Sequence, residues 1–211
     1  MSQSARRYQV LLETLDAWTA AAHQHHPNVI PCRQGCTACC LGPFDISVAD
    51  VLLLQQTVSG LPPDQRARLL NRVDAAAARQ RERVPDWEAP FDVRDLGEDR
   101  FDGLCDALEA EPCPCLEEGA CVVYAGRPAV CRMMGLGLVS PDDRKVANEC
   151  PIQSEFPAYA ALPAQPFDLP AFETTEEACL VEAGLSLFDA VDAAGYETTI
   201  ALALSGQIPR S

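Results

Sequence analysis

Apolar residues recur at helical spacing from the start of the chain. Tyr8, Leu11, Leu12, Leu15 and Trp18 fall on one face, so residues 5–24 predict an amphipathic helix, ended by Pro27 and Pro31. A polar, cysteine-rich segment, 32–43, follows and closes at Gly42-Pro43. Ser47 with Asp50 three residues later is a variant capping box. It predicts a second helix running to about Val58 and stopping at Gly60. Residues 63–83, rich in Ala and Arg between Pro62-Pro63-Asp64 and Pro85, predict a third.

The periodicity then fades. Residues 85–111 carry Asp86, Glu88, Asp92, Asp95, Glu98, Asp99 and Asp102 and read as an exposed loop or an insertion over the core. In the second cysteine-rich segment, 112–151, extended runs are expected at 121–124 and 136–139. Gly126-Arg127-Pro128 opens a short helix with Pro128 in its first turn. Residues 157–170 are Pro-rich and expected to wrap the surface; 174–205 are helical in pattern, interrupted at Gly184 and Gly195. No repeat of fixed period is present, so a duplicated finger is not supported. The expected class is mainly α: a small helical domain with irregular Cys-rich loops around a metal centre and little β. One domain spans 1–211, with a motif core at 30–152 and a C-terminal helical extension at 168–206.

Composition narrows the chemistry. A net charge of −15 repels nucleic-acid phosphates and anionic membrane surfaces, so neither is an expected partner. Residues 1–18 lack the apolar stretch of a signal peptide, and no segment approaches the roughly 18 apolar residues of a membrane helix. The expected location is cytoplasmic, where thiols stay reduced. The 11 cysteines, an odd number, then point to metal rather than disulfides.

The cysteines form two clusters, Cys32-x3-Cys36-x2-Cys39-Cys40 and Cys113-x-Cys115-x5-Cys121-x9-Cys131-x18-Cys150. Soft thiolate donors at close spacing suit zinc or an iron–sulfur cluster. Were residues 35–41 helical, Cys36, Cys39 and Cys40 would share a face and Cys32 would have to curl back on a loop; alternatively the four divide between two metals. Cys131 falls in the first turn of the helix after Pro128, where free N–H groups favour a thiolate. Arg33, Arg127 and Arg132 are the cations placed to offset the buried negative charge of a thiolate centre. Tyr124 is expected to pack behind Cys121, and His23, His25 and His26 suit a helix C-terminus better than a metal.

The run Cys32-Arg-Gln-Gly-Cys36-Thr-Ala-Cys39-Cys40 is followed by Pro112-Cys113-Pro114-Cys115-Leu116, Cys121-Val-Val-Tyr124, Arg127-Pro128-Ala-Val-Cys131-Arg132 and Cys150. Together these resemble the YkgJ-type cysteine-cluster family over about residues 30–152. The resemblance implies a zinc- or iron-chelating domain whose ligands are Cys32, Cys36, Cys39, Cys40, Cys113, Cys121, Cys131 and Cys150. Cys115 departs from the pattern, which has a bulky apolar residue there, and reads first as a buried apolar substitute. Cys105 and Cys179 lie outside it. Flagellin lysine methylases resemble the same family and carry an iron–sulfur cluster.

Three functions are therefore expected to compete. One is a metal-binding protein holding zinc, iron or a 4Fe–4S cluster. The second is an iron–sulfur enzyme of redox or protein-modifying type. The third is an acidic module that docks a protein partner around a structural metal. Eight motif cysteines exceed the four of one closed site, which fits two metals or a cluster with further thiols.

Overall fold

The computed structural model describes residues 1–209, and they are mainly helical. Helix α1 (Gln3–His25) starts at Ser2, whose hydroxyl accepts from the Ala5 N–H, and buries Tyr8, Leu11, Leu12 and Leu15. Strand β1 (Asp45–Ser47) runs into α2 (Val48–Ser59), where the expected capping box forms between Ser47 and Asp50. Helix α3 (Pro63–Arg83) has the bounds its prolines dictate.

The acidic stretch behaves differently from its charge pattern. It folds into α4 (Val93–Leu96) and α5 (Glu98–Ala107), and beneath the acids lies a second apolar core. Trp87, Phe91, Leu96, Phe101, Leu104 and Leu108 are buried there against α3. The aromatic residues were the missed signal: Trp87 meets Phe91 and Phe101 edge to face, and its indole N–H donates to the Asp92 carbonyl at 2.9 Å.

A two-residue hairpin joins β2 (Leu116–Glu117) to β3 (Ala120–Cys121). Its turn, Glu118-Gly119, has positive φ at both positions, as a primed turn requires. The extended run ends at Cys121, because Tyr124–Gly126 form a 3-10 turn; α6 (Ala129–Met133) follows, with Pro128 just ahead of its first residue. Strand β4 (Leu138–Val139) pairs antiparallel with β5 (Lys145–Val146) and parallel with β6 (Gln165–Pro166). Between β5 and β6 sits α7 (Pro157–Ala160). The segment expected to wrap the surface is largely exposed, as at Ala158, Ala160 and Ala161, but it buries Tyr159 completely.

Helix α8 (Leu169–Phe188) passes straight through Gly184. A Cβ at Gly184 would stand 3.0 Å from backbone atoms of Ala190, Ala193 and Ala194, so this glycine permits close approach rather than breaking the helix. Strand β7 (Glu197–Thr199) then pairs with β1, Ile46 opposite Thr198, and leads into α9 (Ile200–Leu204), capped by Thr199 as α2 is by Ser47. The main core lies between α1, α2 and α8 and extends to the α9 end of the chain. No helix among the described residues is long and apolar enough to cross a membrane.

Candidate metal centre

The first cluster is held by turns, not by a helix. The Cys36 N–H donates to the Arg33 carbonyl at 2.9 Å, and the Cys40 N–H to the Thr37 carbonyl at 3.0 Å, closing two successive turns. Gly35, at φ +90°, supplies the left-handed position of the first. The second cluster is drawn in by backbone pairing. The Cys113 N–H donates to the Cys40 carbonyl at 2.9 Å, Leu41 bridges Pro112, and the Gly42 N–H donates to the Glu111 carbonyl at 2.7 Å. The β2–β3 hairpin folds Cys121 back opposite Leu116, and the Val122 N–H donates to the Cys115 carbonyl.

Cys131 arrives on α6, which is anchored from below. Asp50, buried in α2, accepts from the Ala129 N–H and the Tyr8 hydroxyl, each at 3.0 Å, and from Ser47. Burial raises the Asp50 carboxyl pKa, against these hydrogen bonds, which lower it. Asp50 thus occupies the anion position at the start of α6 that the sequence suggested for the Cys131 thiolate. The Cys131 thiol is instead raised well above its usual range, first by burial, then by Cys113, Asp50, Cys39 and Cys121.

The outcome is one cleft of about 420 Å³ lined by Cys32, Cys36, Cys39, Cys40, Cys113, Cys115, Cys121 and Cys131. Its apolar wall is Phe44, Leu54, Val123, Val130 and Ile200. Cys150 is buried at its edge, beside Cys32: a Cβ at Gly135 would stand 3.0 Å from Cys32 Sγ and 3.3 Å from Cys150 Cβ. Cys105 and Cys179 lie elsewhere, in the second and main cores respectively. His23 reaches the cleft; His25 and His26 do not line it.

At Cys32, Cys39, Cys115, Cys121 and Cys131 neighbouring thiols add to burial in opposing ionisation. Cys39 is raised above its usual range by its hydrogen bond with Cys40, then burial, and Cys32 is pushed up to about 11, chiefly by burial. Cys113 is the exception. A side-chain hydrogen bond with Cys115 lowers it, aided by the Arg72 guanidinium, while the same hydrogen bond raises Cys115. Cys115 is buried, as an apolar substitute would be, yet its thiol serves Cys113. A soft cation reverses this balance, since it stabilises every thiolate at once.

All three expected arginines line the cleft, and Asp16 on α1 holds two of them, Arg127 and Arg132. Arg127 pairs with Asp16 at 2.7 Å, and its guanidinium lies 4.0 Å over the Tyr124 ring, which lines the cleft as well. Arg132 is buried, pairs with Asp16 and donates to the Arg127 and Ala125 carbonyls, tying the 124–128 loop to α1. Two arginines against one aspartate leave a net positive wall. Arg33 is exposed at the rim. Asp16, Arg72 and Tyr159 carried no sequence signal and Asp50 only that of a helix cap, because each reaches the site through a partner distant in the chain.

The donor chemistry, sulfur throughout with cations behind it, fits zinc or iron. Among the described residues, no three His, Cys, Asp or Glu side chains already stand in ligating array. The thiols form a loose group that must deprotonate and draw together around an ion.

A mainly helical chain that gathers thiols from two separated segments into one cleft defines a cysteine-cluster domain. Residues 31–151, more than half of the chain, match the model of the CxxCxxCC family, described as a putative zinc- or iron-chelating domain. The chain belongs to that family. No curated protein and no solved structure matches it significantly.

Proposed function

We infer that the protein binds zinc or iron through thiolates from both cysteine segments, with Cys32, Cys36, Cys39, Cys40, Cys113, Cys121, Cys131 and Cys150 as the ligand pool. The observation that carries this reading is the convergence of seven of these thiols in one cleft, with the eighth, Cys150, at its edge. The two segments are far apart in sequence, so binding a metal there staples the fold. Arg127 and Arg132 supply the positive wall that offsets a thiolate centre.

The breadth of the cleft favours an iron–sulfur enzyme as the second reading. About 420 Å³ with an apolar wall exceeds the room one zinc ion needs and leaves space for a ligand beside a metal. Bound there, an iron–sulfur cluster would supply redox chemistry or an open iron position.

Metal and sulfide analysis with an absorption spectrum, on protein purified without oxygen, separates the readings. Iron and sulfide in near-equal amounts with a broad band near the edge of the visible supports the cluster. Stoichiometric zinc in a colourless sample supports a structural site. Protein that binds neither metal overturns the proposal.

A further inference from the structure

Tyr159 lies beyond the family-matched residues, on α7, yet its hydroxyl enters the metal region. The ring is fully buried. Its hydroxyl donates to the Gly135 carbonyl and lies 3.6 Å from Cys32 Sγ. A phenol has one hydrogen. While Gly135 takes it, the contact with Cys32 is made by the thiol S–H donating to the phenol oxygen.

The surroundings hold this arrangement in place. Gly135 has φ +87°, and a Cβ there would collide with the Tyr159 hydroxyl. The Gly135 N–H donates to the Asn148 carbonyl at 2.7 Å, and Asn148 Nδ2 to the Leu136 carbonyl at 2.9 Å. The Cys150 N–H donates to Gln153 Oε1 at 3.2 Å.

We propose that Tyr159 is a positioning residue for the metal centre: its hydroxyl sets the Cys32 sulfur beside Cys150, accepting from the Cys32 thiol and donating to the Cys32 thiolate. The inference rests on the metal-binding reading above. When Cys32 binds a cation its proton leaves to water, and a sulfur without hydrogen then faces the phenol oxygen. The phenol hydrogen turns from the Gly135 carbonyl to that sulfur. Donation to a ligand sulfur steadies its position and spreads its charge, as outer-shell partners of metal ligands do. Residues outside the matched domain thereby enter the site.

The test is zinc affinity of the full chain, measured by competition with a chromophoric chelator, in wild type, Tyr159→Phe, Cys32→Ser and the double variant. Tyr159→Phe keeps the ring and should weaken zinc about 10-fold or more. In the Cys32→Ser background the same change should add less than about 2-fold, because no ligand sulfur is left for the phenol to position. Unchanged affinity in Tyr159→Phe overturns the inference and leaves the metal reading standing. An equal loss in both backgrounds also overturns it, since Tyr159 would then act on the fold and not through Cys32. Wild type that binds no zinc or iron overturns both. Wild type gives a variant-free readout if Tyr159→Phe fails to fold. The tyrosine Raman doublet, which distinguishes donating from accepting phenols, should move towards the donor form on adding zinc, and a fixed doublet overturns the inference.

Discussion

At the scale of single residues, position in space outranks residue type. Of the cysteines, Cys36 and Cys131 line the cleft while Cys179 sits in the main core. Cys36→Ser and Cys131→Ser should each lower metal content and melting temperature together; if both variants keep full metal, the ligand assignment is wrong. Cys179→Ser should leave metal content unchanged, and a loss there would bring α8 into the site. Glu176 on α8 makes a separate prediction. Burial, then Asp50 and Glu173, raise its pKa from 4.5 to about 7. The folded chain therefore holds more protons than the unfolded chain between those values. Stability from this group is greatest at low pH and falls as pH rises from about 4.5 to about 7. Glu176→Gln should melt higher than wild type at pH 8 and close to it at pH 5. Equal differences at both pH values would show that Glu176 does not titrate in this range.

At the scale of elements, the site depends on two short pieces pinned to longer helices. The Tyr124–Gly126 turn presses on α2 so closely that a Cβ at Gly126 would stand 2.8 Å from Thr57 Cβ. Gly126→Ala should cost about 2 kcal/mol in chemical denaturation, through overpacking of this contact, and lower metal content by displacing α6. A variant as stable as wild type would mean that the loop relaxes freely. Helix α6 itself has only five residues and cannot persist alone. It is held by Asp50 from α2 and by Arg132 against Asp16 of α1. Asp50→Ala, which strips several buried donors of their acceptor, should cost about 3 kcal/mol or more on the same measurement. A loss below about 1 kcal/mol would show that water replaces the carboxylate.

At the scale of the whole molecule, the main core reaches beyond the family-matched residues at both ends. The main core joins Tyr8, Leu12 and Leu15 of α1 to Leu52 and Leu53 of α2, and to Phe172, Ala183 and Leu187 of α8. Strand β7, near the end of the chain, completes the ladder started by β1. A fragment holding only residues 31–151 loses α1, α8 and that partner strand. It should show no cooperative melting transition, with or without zinc, while the full chain does. Cooperative melting of the fragment would mean that the metal centre suffices to organise it.

The long helices were legible in the chain because their signals are local. Ser47 and Asp50 cap α2 within one turn, and Pro63 and Pro85 bracket α3. The mainly helical class and the cysteine-cluster family followed from such local patterns. Tertiary structure decided the rest, since it depends on contacts between distant segments. Buried Trp87 and Phe101 turned an acidic stretch into a second core. The Cys40–Cys113 backbone pairing brought the two thiol groups to one cleft. Asp50 took the anion position beside Cys131, and Tyr159 came from beyond the motif to meet Cys32. Spacing along a chain can show which side chains are able to ligate a metal; which of them meet, and what charge stands behind them, is set by packing between elements that sequence distance does not encode.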